Sequence, residues 1–144
     1  MQRTKKGRYA AMDRKIALVG AGGKMGQRIA PNLQKFGYDF VCCEKDREGM
    51  EALAAKGYAA MPTEEAVALC DVIVCALPDA ALPTLSAKLV PLLKPGAIFL
   101  TLDPAAARAG QLATRPDCSF VVTHPCHPPL FGECDTPEEK ADLF

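Results

Sequence analysis

The spacing of apolar residues along this chain changes period repeatedly. Residues 15–19 (Lys-Ile-Ala-Leu-Val) are a short apolar run rich in strand formers that ends at glycine, which predicts a first strand. From Lys24 the period becomes helical: Met25, Ile29, Leu33 and Phe36 share a face, and Gly37 is placed to stop the helix. Residues 38–43 read as a second strand. Residues 47–56 read as a helix with Met50, Leu53 and Ala54 on one face and Gly57 as its stop, and 58–61 as a short third strand. Thr63 opens a short helix, with Glu64 and Glu65 in the first turn, where the helix dipole favours acids. Residues 71–77 are apolar almost throughout, as in a parallel strand covered on both faces. Asp79 is placed to cap a helix over 82–93, which Pro91 must end or bend. Residues 97–102 predict a fifth strand, 105–112 a weak helix and 119–123 a sixth strand.

Strand and helix alternate throughout, which predicts an α/β fold: a doubly wound parallel sheet with right-handed crossovers, the Rossmann arrangement, over residues 13–135. Residues 1–12 read as a disordered basic leader. Arg3, Lys5, Lys6 and Arg8 lie in it without an acid, and no apolar run follows before Asp13, so it is not a secretion signal. At the other end, Thr136-Pro137-Glu138-Glu139 has the cap, first-position proline and early acid of a helix start. The reading is that residues 136–144 begin a C-terminal helical domain that is cut short.

Composition narrows the function. Hydrophobic residues make up 49% of the 144, a globular proportion, and the formal net charge is zero, which argues against nucleic acid and anionic membranes as partners. No run approaches the roughly 20 apolar residues of a membrane span. Several of the seven cysteines, among them Cys42, Cys43 and Cys75, sit inside strand-like runs and read as small buried apolar residues with free thiols. Without a secretion signal, this points to the cytoplasm.

The glycine-rich turn after the first strand is the first chemical signal. Gly20-Ala21-Gly22-Gly23-Lys24-Met25-Gly26 follows a strand and opens a helix, the context in which such a turn holds the pyrophosphate of a dinucleotide. The spacing departs from G-x-G-x-x-G, because Met25 stands where the third glycine would fall. Two registers remain: Gly20, Gly22 and Gly26, or Gly20, Gly23 and Gly26. Glu44 ends the second strand, 24 residues after Gly20, where an acid can accept hydrogen bonds from both ribose hydroxyls. That favours NAD. Lys45 and Arg47 could instead meet the 2′-phosphate of NADP, while Asp46 reads as solvated loop.

Other candidates lie at the carboxyl ends of later strands, where a doubly wound sheet binds its ligand. Leu77 and Pro78 can wall the cofactor. Asp79 reads as a cap, and Asp103 as either a cap or a site residue near the nicotinamide. His124 and His127 are the only histidines, and both follow the sixth strand in a loop stiffened by Pro125, Pro128 and Pro129. Either can take a proton from a hydroxyl as hydride leaves its carbon, and His124, nearest the strand, is the better placed. His124, Cys126, His127 and Cys134 have the residue types of a zinc site, but no C-x-x-C pair is present and the prolines oppose convergence, so no zinc is expected; a divalent metal held by Asp103 and groups beyond this chain enters only if the reaction involves a rearrangement, and no metal ligand is assigned.

On these residues the chain is similar to known families. Residues 19–26 resemble the phosphate turn of dihydrodipicolinate reductases and prephenate dehydrogenases. Residues 71–79, 93–98 and 103–104 resemble the 6-phosphogluconate and β-hydroxyacid dehydrogenase superfamily. The segment His124-Pro-Cys-His-Pro-Pro-Leu-Phe131 resembles its phosphogluconate dehydrogenase-like subgroup, which includes D-apionate oxidoisomerases. The resemblance covers about residues 13–135. It implies an NAD(P)-dependent oxidoreductase acting on a hydroxy acid or sugar acid, and a C-terminal helical domain that completes the substrate site and forms a homodimer. The alternatives are a non-catalytic NAD(P)-sensing domain, which would not need the histidine segment, and an imine reductase, whose basic glycine-rich catalytic segment is not visible.

Overall fold

A computed structural model describes residues 14–124. The leader, His127, Cys126, Cys134 and the helix start at Thr136 lie outside the described residues. Six parallel strands, β1 (Ile16–Val19), β2 (Phe40–Cys43), β3 (Ala60–Met61), β4 (Val72–Cys75), β5 (Ile98–Thr101) and β6 (Ser119–Val122), form one sheet in the order β3-β2-β1-β4-β5-β6. The order reverses between β1 and β4, so a crevice opens there at the carboxyl edge. The helices are α1 (Gly26–Lys35), α2 (Arg47–Ala55), α3 (Thr63–Leu69), α4 (Leu82–Leu89) and α5 (Ala105–Arg108).

Strand side chains alternate between two cores. Leu18 and Cys42 pack with Ala30 of α1 and Leu53 of α2. Ala17, Val19, Cys43, Ile73, Cys75 and Phe99 pack on the other face, against Val67 of α3, Leu82 and Leu89 of α4 and Ala106 of α5. Cys42, Cys43 and Cys75 are free and buried, as expected of strand cysteines used for packing, and Cys70, just after α3, is free and buried too. Burial pushes the Cys43 and Cys75 thiols up to about 12, which leaves them protonated and unreactive at neutral pH.

Both glycine stops hold: Gly37 and Gly57 take φ of 74° and 81°. Pro31 sits inside α1 and cannot donate to the Gln27 carbonyl. Lys56 Nζ, at the end of α2, donates to that carbonyl instead at 3.5 Å. Several boundaries differ from expectation. The first helix begins at Gly26 rather than Lys24. Thr63 is the first helical residue, with Pro62 at the cap position and no side-chain cap. The 82–93 helix gives way after Leu89 to a 3-10 turn at Val90–Leu92 that contains Pro91. The weak helix stops at Arg108, well short of residue 112.

Two polar clamps hold the edges. Arg115 donates to the carbonyls of Val90 (3.1 Å), Pro91 (3.3 Å) and Leu93 (2.8 Å), closing the end of the α4 segment, and pairs with Asp117 at 2.6 Å. At the amino edge of the sheet, Asp71 accepts from Lys94 Nζ (2.6 Å) and from the Lys15 N–H (3.0 Å). The Lys94 hydrogen bond, followed by that from Lys15, holds the Asp71 carboxyl below the usual carboxylate range. A depressed folded pKa stabilises above the unfolded value, roughly 4, and that contribution is lost as pH falls through the folded value. Asp71→Asn should therefore cost about 1 kcal/mol at pH 7, a modest figure for a partly exposed pair. The gap between variant and parent should close in urea titrations as pH is lowered from 5 towards 2.

Candidate functional site

The glycine turn is built by backbone contact. Gly20 and Ala21 N–H both donate to the Cys43 carbonyl (3.0 and 3.1 Å), tying the turn to the end of β2. Gly20 has φ +76°, and a Cβ there would lie 2.6 Å from both the Ala76 carbonyl oxygen and Leu77 Cδ2. A Cβ at Gly26 would overlap the Gly20 carbonyl and the Ala21 backbone, so α1 can start this close to β1 only without a side chain. A Cβ at Gly22 would overlap the backbone of Gly49 in α2, whereas at Gly23 the nearest atom is 3.3 Å away. Gly20, Gly22 and Gly26 are thus the positions where packing within the chain leaves least room for a side chain, which favours the first register. Gly23 and Lys24 are exposed, Met25 is half-buried, and Gln27 Nε2 donates to the Gly22 carbonyl at 2.7 Å.

The amino end of α1 carries no side-chain cap and no acid in its first turn. The Gln27, Arg28 and Ile29 N–H groups of its first turn donate to the Gly23 and Met25 carbonyls, while the Lys24, Met25 and Gly26 N–H groups just ahead of them have no partner among the described residues. With the partial positive charge of the helix dipole, this end of the turn can seat an anion.

Glu44 stands beside it. Its Oε2 accepts from the Gly22 N–H at 3.0 Å, and its Oε1 accepts from the Lys45 and Asp46 N–H groups at 2.9 and 3.1 Å. The carboxylate is thereby fixed by three backbone donors, leaving acceptor capacity on both oxygens. Asp46 is exposed in the loop before α2, as expected, and its side chain also accepts from the Gly49 N–H at 3.4 Å and caps that helix. Arg47 pairs with Glu51 at 2.9 Å on the solvent side.

A crevice of about 220 Å³ opens at the switch point. Val19, Gly20, Glu44 and Leu77 line it from the strand ends, and Thr84, Leu85 and Lys88 from α4. Of the predicted cofactor residues, then, Gly20, Glu44 and Leu77 line the crevice. Gly22, Gly23, Lys24, Met25 and Gly26 shape the turn beside it, and Pro78 is exposed just beyond Leu77. The α4 contribution was missed because residues 82–93 read only as a covering helix. Thr84 and Lys88 are one helical turn apart, a polar pair on a largely apolar helix.

The remaining candidates lie along the same edge, towards β6. Asp79 does not cap its own helix. Its Oδ1 accepts from the Ala106 N–H of α5 at 3.1 Å, 27 residues away in sequence. Asp103 Oδ1 accepts from the Ala105 N–H at 3.2 Å, the contact expected of its capping reading. His124 is exposed; Thr101 pairs with Val122, so His124 and Asp103 stand equally far beyond paired residues of β5 and β6. Among the described residues no group of three or more His, Cys, Asp or Glu could hold a metal.

Comparison with known proteins places this geometry. A family model described as NADP oxidoreductase, coenzyme F420-dependent, matches residues 15–107. The chain belongs to this family. It is 44% identical over 135 residues to a D-apionate oxidoisomerase from Pectobacterium atrosepticum, covering 94% of this chain and 47% of that one. It is 45% identical over 131 residues to a D-apionate oxidoisomerase from Blautia hydrogenotrophica, covering 90% and 46%. A solved semialdehyde dehydrogenase NAD-binding protein from Cupriavidus necator, in complex with calcium and NAD, superposes with a TM-score of 0.81 at 42% identity, covering 92% of this chain and 49% of that one. The chain spans about half the length of the curated relatives it matches. These findings agree with the resemblance read from the glycine turn and the later strand ends.

The register makes a stability contrast. Gly26→Ala should cost about 2 kcal/mol or more, because backbone must move, whereas Gly23→Ala should stay within about 0.5 kcal/mol. Urea denaturation of the two variants measures both.

Proposed function

We propose that this chain is the dinucleotide-binding part of an NAD-dependent oxidoreductase that acts on the CH–OH group of a sugar acid or hydroxy acid. The observation that carries the reading is the uncapped amino end of α1 next to a carboxylate fixed by three backbone N–H groups. One feature suits a pyrophosphate and the other a ribose diol. Because Gly20, Gly22 and Gly26 carry no side chain, the turn can pack tightly between β1, α1 and α2, the compact turn that a pyrophosphate site needs. The NAD complex of the Cupriavidus protein and the D-apionate oxidoisomerases support the cofactor and the substrate class.

The residues divide the work. The Lys24, Met25 and Gly26 N–H groups, where the glycine turn enters α1, hold the pyrophosphate, and Glu44 accepts from the ribose hydroxyls. Leu77 and Leu85 give the crevice apolar walls that exclude water. The bound nicotinamide supplies hydride transfer. His124, at the far end of the edge, takes the substrate hydroxyl proton on an imidazole nitrogen, and His127 is the second candidate for that role. Turnover is assigned to the whole protein, since the relatives are about twice as long. Among the described residues no helix is long and apolar enough to cross a membrane. The free buried cysteines suit a reducing cytoplasm.

NADP is the second reading. Lys45 and Lys88 both line the crevice around Glu44, and the family description names NADP. Calorimetric titration separates the two readings. NAD should bind about tenfold tighter than NADP or better, and Glu44→Gln should erase most of that margin, since a 2′-phosphate facing the carboxylate meets like charge. In the full-length protein, His124→Ala should lower turnover on a sugar-acid panel about a hundredfold while NAD affinity holds. Unchanged turnover would remove His124 from the reaction.

A further inference from the structure

The proposed preference for NAD depends on where the Glu44 carboxylate sits, and that position has a cause on the neighbouring helix. Gly49 is buried at the third position of α2, where its N–H is held by the Asp46 cap. Glycine is a poor helix former, so local propensity alone would favour alanine there. A Cβ at Gly49 would lie 2.8 Å from both Cγ and Cδ of Glu44 and 2.9 Å from Oε2. The three nearest atoms thus all belong to the Glu44 side chain, and Oε2 is the oxygen seated on the Gly22 N–H. Gly22 and Gly49 also meet backbone to backbone, since a Cβ at Gly22 would strike the Gly49 Cα. The Glu44 side chain therefore occupies space that any side chain at position 49 would take.

We propose that Gly49 is a positioning residue for cofactor specificity. Its missing side chain lets the Glu44 carboxylate lie on the Gly22 N–H, where it receives a ribose 2′-hydroxyl and repels a 2′-phosphate. This rests on the NAD reading above. Gly49→Ala leaves the Asp46 cap and the helix intact and displaces only the carboxylate, whose arm can swing aside. A residue that served only to pack α2 would weaken both cofactors alike.

The test is a double-mutant cycle on the 144-residue chain. The parent, Gly49→Ala, Glu44→Ala and the double variant are each titrated with NAD and with NADP by calorimetry, alongside thermal melts. Gly49→Ala should lower the NAD-to-NADP affinity ratio about tenfold, the scale of one charge-assisted hydrogen bond, and should change it less than about twofold when Glu44 is already alanine. An unchanged ratio in Gly49→Ala overturns the proposal, as does an equal loss for both cofactors or the same drop in the Glu44→Ala background. If Gly49→Ala fails to fold while the double variant folds, the clash lies with Glu44 alone and the proposal stands. If neither folds, Gly49 serves the fold and the proposal fails. A parent chain that binds no NAD, or prefers NADP, overturns the NAD reading itself and this inference with it, before any variant is compared.

Discussion

The arrangement of the carboxyl edge depends on one close approach, that of the start of α1 to the end of β1. Gly26 lies against the Gly20 carbonyl and the Ala21 backbone, with no room for a side chain between them. This contact fixes where α1 starts relative to β1 and the glycine turn. Were α1 displaced by the width of a methyl group, the Gly22 N–H would move from Glu44, and the turn would lose its contacts with β2 and α2. The packing requirement and the ligand requirement therefore fall on the same few atoms, which is why glycine is needed at positions that are not all adjacent to the ligand.

The second consequence concerns charge. Glu44 brings a negative group to a place prepared for an anionic ligand, which would be unfavourable if the carboxylate were free to approach the phosphates. Three backbone donors hold it instead at the mouth of β2. Lys45 and Lys88 also line the crevice. The anion seat and the carboxylate can then coexist, each directed at a different part of one ligand.

Much of this was legible in the sequence because it is local. Apolar period gave all six strands, and the stops at Gly37 and Gly57 followed from the conformation only glycine adopts easily. The glycine turn and Glu44 could be read because their spacing follows from the length of one β-α-β unit. What escaped is non-local. Asp79 has every local mark of a cap for the following helix, yet its carboxylate serves α5, since the sheet brings those strand ends side by side. Lys88 and Leu85 reach the crevice only because α4 crosses it. Gly49 looks like a weak point in a helix until Glu44 and Gly22 are placed against it.

These misses share a direction. Each non-local contact ties the carboxyl edge together: Asp79 links the β4 end to α5, and Gly49 joins α2 to the glycine turn. In contrast, the Asp71–Lys94 clamp works at the amino edge, away from any ligand. Polar groups on the amino edge thus act on stability alone. Those on the carboxyl edge hold loops that a hydrophobic core cannot reach, and so stability and site geometry cannot be separated there. A substitution at Asp79 or Asp103 that loosens α5 would also shift the strand end beside His124, although neither carboxylate need touch a substrate.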